Sequence, residues 1–415
     1  MHSYKKSHRA QAITADTGTP LTFPVWDPWA AGLTRAFQHL TCGRLLLELW
    51  DGSEMVFAGP QDGPSAHVRF NSRRAVRRTA FGGDVGFAEA YMAGECDSRD
   101  LVALIELFAC NLATVDSSLS GTAVCGFWNR ICHVLKPNSR RGSRKNIAYH
   151  YDLGNGFYEQ WLDPSMTYSS ALYEDGVTDL SEAQQRKYQR VAELLDLSPG
   201  QHILEIGCGW GGFAEYVARD HGCRITGLTL SQEQHAYATD RIARAGLQDR
   251  VEIRLQDYRD VQGRFDRVAS IEMFEAVGEK NWPTYFQTIR DRLVPSGNAV
   301  LQVISIAEDR YEQYRTGADF IQRYIFPGGM LPTPALLEKE SEQAGLRVSH
   351  ADQFGESYRR TLAEWSVVFE SAWPRVRALG YDERFRRMWR YYLAYCEAGF
   401  RVGTIDVGHY KLVHG

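Results

Sequence analysis

With 415 residues, 44% of them hydrophobic and 24% charged, the chain is long enough for two domains and too apolar to be disordered. A formal net charge of -4 makes no electrostatic case for nucleic acid, and none is expected as a partner. Eight cysteines, at 42, 96, 110, 125, 132, 208, 223 and 396, contain no C-x-x-C pair and no Cys/His cluster of zinc spacing. That excludes a disulfide scaffold, predicts no metal site and fits a reduced, cytoplasmic setting.

The N-terminus MHSYKKSHRAQAITADTG is basic but lacks an apolar h-region, so it is not a secretory signal. Residues 40–70 read as short alternating strands, with a D-G turn at Asp51-Gly52 that predicts a hairpin. A helical pattern follows over 86–115. Its apolar run LVALIELFACNLATV, 101–115, is too short to cross a membrane and carries Glu106 and Asn111. Arg69, Arg73, Arg74, Arg77 and Arg78 crowd into ten residues, and Arg140, Arg141, Arg144 and Lys145 form a second cluster. Either cluster alone reads as a solvated face; together they admit an anionic lipid surface as a partner.

KPNSRRGSRKN, 136–146, is rich in Pro, Gly, Ser and Arg without apolar periodicity, and reads as a linker closing an N-terminal α+β domain over 1–135. From 147 to 415 helices and strands alternate. Helices are predicted at 182–197, 212–220, from Ser231, 282–293, 357–378 and 382–401, and strands at 201–206, 223–228, 250–255, 265–271 and 298–305. Ser231 with Gln234 makes a capping box. Alternation of this length predicts an α/β fold, a doubly wound, Rossmann-like and mostly parallel sheet. An aromatic insertion at 306–332 exceeds what such a sheet needs and is expected to shape a binding site.

The first strand of that sheet runs into HILEIGCGWGGF. Gly207, Gly209 and Gly212 formally satisfy G-x-G-x-x-G, but a dinucleotide site also wants an acid after the second strand, and CRITGLTL ends in Leu228, Thr229 and Leu230. No G-K-[ST] follows, which excludes a P-loop. Glu205, two residues before the first glycine, instead gives the E-x-G-x-G of S-adenosylmethionine-dependent methyltransferases, and a carboxylate suits a sulfonium cofactor.

Beyond that loop, the segments AYHYDLGNGFYEQWLDPSMTYSSALY, GLTLSQEQ, LQDYRD, SIEMFEAVG, YIFPGGMLP, FGESYRRTLAEW and YYLAYCEAGFR occur in one order between 147 and 402. The chain thereby resembles the cyclopropane-fatty-acid synthases and related methyltransferases of unsaturated acyl chains. The resemblance implies an S-adenosylmethionine-dependent methyltransferase, an N-terminal domain linked to lipid binding and dimerisation, and phospholipid acyl chains met peripherally at the membrane surface. It implies that Tyr168, Ser169, Glu205, Gly207 and Gly209 hold the methionine end of the cofactor. Thr229, Leu230, Gln234 and Tyr258 would hold its adenosine.

In the cyclopropane-forming relatives a bicarbonate takes the proton lost after methyl transfer. Glu275, Ile304 and Tyr358 keep the positions of its surroundings, while Ser170 and Gln302 stand where a Cys and a His are expected and Ala276 where many members have a second His. Ser and Gln still donate hydrogen bonds to an anion, but Gln302 cannot become cationic. The implied product is a cyclopropane fatty acid. The alternative is a methylene- or methyl-branched chain, in which the cation loses a neighbouring chain proton; a non-catalytic lipid-binding protein is a more distant one. Cys396 matches a Cys assigned as important in the family and is expected to be buried and supporting rather than nucleophilic.

Overall fold

The structure, a computed structural model, describes residues 28–111, 153–174, 176–317 and 319–415. The linker at 136–146 and the basic cluster at 140–145 lie outside them.

The chain divides into two compact units; among described residues the first comprises 28–111 with 382–402 and the second 153–381 with 403–415. In the first, helix α1 (Pro28–Phe37) precedes strands β1 (Cys42–Glu48), β2 (Glu54–Ala58) and β3 (Gln61–Phe70). Helix α2 (Arg73–Met92), the short β4 (Cys96–Asp97) and helix α3 (Leu101–Cys110) follow. The strands form one sheet in the order β2-β1-β3-β4. At the predicted D-G turn the Leu49 amide donates to Ser53 O at 2.9 Å and the Gly52 amide to Leu49 O at 2.9 Å, so the hairpin forms as its sequence demands. Leu45, Leu47, Val68 and Leu104 are fully buried between sheet and helices.

Four of the five arginines of the 69–78 cluster have partners within the first unit. Arg74 and Arg78 both pair with Glu95 at 3.4 and 3.5 Å, Arg69 lies 3.9 Å from Glu48, and Arg73 sits over the Trp50 ring.

The second unit holds helix α4 (Leu180–Leu194), β5 (His202–Ile206), α5 (Gly212–Asp220), β6 (Arg224–Thr229), α6 (Gln232–Arg244), β7 (Val251–Leu255) and β8 (Phe265–Ile271). Next come α7 (Trp282–Arg292), β9 (Leu293–Ile306), α8 (Tyr311–Thr316), α9 (Pro334–Gln343), β10 (Leu346–Gln353) and α10 (Gly355–Ala378). After α11 (Glu383–Arg401), β11 (Ile405–His414) ends the chain. The sheet order is β10-β11-β9-β8-β5-β6-β7. Strands β5 to β9 pair in parallel; β11 enters antiparallel between β9 and β10. This is the predicted doubly wound α/β sheet. Its strand order reverses between β5 and β8, which opens a crevice at their carboxyl ends.

Both faces of the sheet are covered, so successive residues of its central strands are buried, Ile203 to Ile206 on β5 and Val268 to Ser270 on β8. One core gathers Leu204, Val268, Phe274, Phe286 and Leu301, the other Ile203, Phe213, Val217, Ile225 and Val300.

Helix α11 departs from the sequence reading, which placed both C-terminal helices in the catalytic domain. It groups with the first unit and packs on α2 and α3. Arg387 explains the choice: its guanidinium stacks 4.1 Å over the Tyr91 ring and donates to Cys96 O at 2.7 Å.

Candidate active site

The crevice at the carboxyl ends of β5 and β8 holds a cavity of about 150 Å³. Its walls carry Tyr168, Ser169, Glu205, Gly207, Gly209, Thr229, Leu230, Gln234 and Tyr258, so all nine residues expected to hold the cofactor face one space.

The loop after β5 owes its path to its glycines. The amides of Gly207 and Cys208 both donate to Leu228 O, at 3.0 and 2.8 Å, folding the chain back over β6. Gly207 has φ +88°, and a Cβ there would stand 2.7 Å from Met273 Cγ. A Cβ on Gly212 would stand 2.5 Å from Tyr188 Oη and 3.0 Å from Ser165 O, so that glycine lets α5 approach the chain before α4.

At the start of α6 the Ser231 side chain accepts from the Gln234 amide at 3.2 Å. The reciprocal half of the capping box is missing, because Gln234 turns its carboxamide to accept from Thr229 Oγ1 at 2.9 Å on the cavity wall.

Glu205 is 2% exposed, and its Oε2 has no hydrogen-bond partner. Burial pushes its carboxyl up to about 8, with Lys187 acting in the opposite direction. A buried carboxylate oxygen awaiting a donor, beside a glycine turn that brings backbone to the cavity, fits a cationic cofactor such as S-adenosylmethionine.

A second carboxylate, missed by the sequence reading, lies across the cavity. Glu272 follows β8 directly and lines the same space. Its Oε1 accepts from the Ser170 amide at 2.8 Å and from Gln302 Nε2 at 2.7 Å, and its Oε2 from Tyr358 Oη at 2.8 Å. Thus three of the residues expected to surround a bicarbonate hold a carboxylate of the chain itself. Glu272 stood in the quoted SIEMFEAVG segment; its position just past a central strand was the signal.

Glu275 is placed differently from expectation. Its Oε1 accepts from the Ile304 amide at 2.5 Å, its Oε2 has no partner, and it is not among the residues lining the cavity. Burial, reinforced by the charge of Glu272, raises its carboxyl to about 8. The Ser170 hydroxyl bonds to Ala171 O at 2.8 Å, so this residue contributes its amide and not its side chain.

Two further buried residues support Glu272. Lys187, fully buried on α4, donates to Ser169 Oγ at 2.7 Å; burial lowers its amine to about 8. A lysine on the face that also buries Ala183, Tyr188 and Val191 was legible as an anomaly. Behind Gln302 stands His409, fully buried, with Nε2 3.2 Å from Gln302 Oε1 and Nδ1 3.1 Å from Asp352 Oδ1.

Tyr168 lines the cavity and is backed by further rings. Tyr168 has its centroid 5.4 Å from Tyr158, 5.7 Å from Trp161 and 5.4 Å from Trp365, and Trp365 lies 6.2 Å from Tyr358. Cys396, by contrast, is half-buried on α11 in the first unit, where burial was expected, and is absent from the cavity lining. Among the described residues no cluster of His, Cys, Asp and Glu could hold a metal ion, and no helix is long and apolar enough to cross a membrane.

Comparison with known proteins agrees with this geometry. Residues 138–410 match the family described as mycolic acid cyclopropane synthetase. The tuberculostearic acid methyltransferase UfaA1 of Mycobacterium tuberculosis is 39% identical over 92% of this chain and 90% of its own. The cyclopropane-fatty-acyl-phospholipid synthase of Escherichia coli is 36% identical over 82% of this chain and 86% of its own. Among solved structures, the mycolic acid cyclopropane synthase CmaA1 complexed with SAH and CTAB superimposes with a TM-score of 0.62 at 28% identity, covering 67% of this chain and 99% of that one. The chain belongs to the mycolic acid cyclopropane synthetase family and is one of its S-adenosylmethionine-dependent methyltransferases.

Proposed function

We propose that the protein transfers a methyl group from S-adenosylmethionine to the double bond of an unsaturated fatty acyl chain carried on a phospholipid. When bound, the cofactor supplies an electrophilic methyl. Tyr168, Ser169, Glu205, Gly207 and Gly209 would hold its methionine end, and Thr229, Leu230, Gln234 and Tyr258 its adenosine. An alkene that accepts a methyl cation becomes a carbocation, so its site must stabilise positive charge, exclude water and accept one proton.

The single observation that carries this reading is the pairing, in one cavity, of the Tyr168 ring, backed by Tyr158, Trp161 and Trp365, with a carboxylate held by three donors. Ring faces favour a cation in a desolvated pocket. The names of the relatives support lipid acyl chains as the substrate class.

Cyclopropane formation is the first reading of the product, supported by the family description and by the Escherichia coli relative. A methylene- or methyl-branched chain is the second, favoured by the 39% identity to a tuberculostearic acid methyltransferase over 92% of this chain. Both products add one CH2, so mass does not separate them. Purified protein incubated with S-adenosylmethionine and vesicles of dioleoyl phosphatidylethanolamine and phosphatidylglycerol should form S-adenosylhomocysteine. Proton NMR of the recovered fatty acids should then show upfield ring protons for the first product or vinylidene protons for a methylene branch. No S-adenosylhomocysteine above a lipid-free control would end the proposal.

A peripheral encounter with the membrane and a homodimer complete it. The apolar residues Val367, midway along α10, and Leu379, just past its end, are 71% and 52% exposed and give that encounter positions to test by vesicle flotation.

A further inference from the structure

Glu272 pays for its position in backbone strain. It is one of three non-glycine residues among those described with positive φ, at +49°. Left-handed backbone is costly for a residue with a Cβ and persists where surrounding structure enforces it, most often at functional sites. Three donors enforce it here. The Ser170 amide, Gln302 Nε2 and Tyr358 Oη come from parts of the chain far apart in sequence and converge on one carboxylate.

That arrangement leaves no room for a separate bicarbonate on those donors. Each hydrogen atom that an exogenous anion would need is already given to Glu272, and a second anion beside an ionised Glu272 would be repelled. The two remaining expected partners, Ile304 and Glu275, bond to each other, the Ile304 amide donating to Glu275 Oε1.

We propose that Glu272 is the general base of this enzyme, replacing an exogenous bicarbonate. The proposal rests on the methyl-transfer reading above. The alkene π pair forms the new bond to the methyl carbon as the sulfur–carbon pair withdraws onto sulfur. A C–H bond beside the resulting carbocation then yields its electron pair to the empty orbital, closing either a ring bond or a double bond. The proton goes to a carboxylate oxygen of Glu272 and leaves to solvent after turnover. Electrons and atoms balance with no further reactant.

The surroundings suit this role. Burial raises the Glu272 carboxyl above its ordinary value, while the positive charge of Lys187 and the three hydrogen bonds pull it back. The facing charged groups are therefore Lys187, which favours the ionised form, and Glu275, whose own carboxyl Glu272 pushes upward.

The test compares the full-length wild type, Glu272→Gln and Glu272→Gly with the same vesicles, in buffer purged of carbon dioxide and again with added sodium bicarbonate. Wild-type turnover should be the same in both. Glu272→Gln should lose at least ~100-fold in kcat, the order expected for a general base, while binding S-adenosylhomocysteine within about threefold of wild type. Glycine tolerates the positive φ, so Glu272→Gly folds with the three donors facing a carboxylate-sized gap. It should be inactive when purged and regain at least tenfold with bicarbonate, which a merely structural glutamate would not predict. Wild-type turnover that collapses on purging, or Glu272→Gln within fivefold of wild type, overturns the assignment and leaves methyl transfer standing. Wild type that forms no S-adenosylhomocysteine from unsaturated phospholipid overturns both.

Discussion

Glu205 offers a measurement of cofactor binding independent of turnover. With its carboxyl raised to about 8 by burial, roughly nine in ten molecules carry a proton there at pH 7 before any cation binds. A cationic cofactor selects the ionised form, so binding must expel that proton. Affinity should therefore weaken about tenfold, or ~1.4 kcal/mol, for each pH unit below 8 and level off above it. Lys187 is also near 8 and is the one charge that lowers the Glu205 carboxyl, so the two titrate as a pair and the proton belongs to both. Titration calorimetry between pH 6 and 9, in buffers of different ionisation enthalpy, counts the protons released. Glu205→Gln should abolish the release and weaken binding by 1.5–3 kcal/mol, about 10- to 150-fold, the range for a hydrogen bond to a charged group. Lys187→Met should shift the inflection upward, because the charge that favours the carboxylate is gone. A wild-type affinity flat across this range, or a slope that survives in Glu205→Gln, refutes the reasoning.

Two further outcomes separate space from strain and site from scaffold. Gly207→Ala should lower the melting temperature and the affinity for S-adenosylhomocysteine together, at about 1–3 kcal/mol, because its Cβ would meet Met273 at 2.7 and 2.9 Å on a backbone at φ +88°. Gly209→Ala, at φ +53° but with no heavy atom within 4 Å, should cost about 1 kcal/mol of strain alone, read from the same melts. Cys396→Ser should lower kcat less than ~10-fold, since this half-buried thiol sits outside the cavity lining; a loss of 10³-fold or more would restore it to the chemistry.

The parallel half of the sheet was legible because β5, β6 and β8 are short β-branched-rich runs that alternate with capped helices. β10 and β11 were not, because RVSHADQ and IDVGHYKLVH mix histidines and charges into their alternation and pair antiparallel at the sheet's end. That omission hid His409, which sits on β11 opposite Gln302 of β9. The glycine loop was legible because Glu205, Gly207, Gly209, Thr229 and Leu230 are written as one local turn and two strand ends, while Tyr168, Ser169, Gln234 and Tyr258 were reached through the family resemblance. The proton-accepting side is not local. Residues 170, 272, 302 and 358 meet only when β8, β9 and α10 are assembled, and no spacing in the sequence encodes that meeting.

The structure also bears on the loss of a cation expected where Gln302 replaces a histidine. Gln302 directs its amide nitrogen to two acceptors, Glu272 Oε1 at 2.7 Å and Ser170 O at 3.4 Å, which leaves its Oε1 to accept. His409 Nε2 therefore faces an acceptor, and Nδ1 faces the Asp352 carboxylate. Satisfying both bonds requires a hydrogen on each ring nitrogen, the pattern of an imidazolium. Burial opposes that charge and lowers the His409 pKa, with Asp352 pulling the other way. Near neutral pH the ring thus gives up one bond, and below its pKa it holds both. Near neutral pH the positive charge that biases Glu272 is therefore that of Lys187, while His409 stands neutral behind the Gln302 amide and does not replace the missing cation.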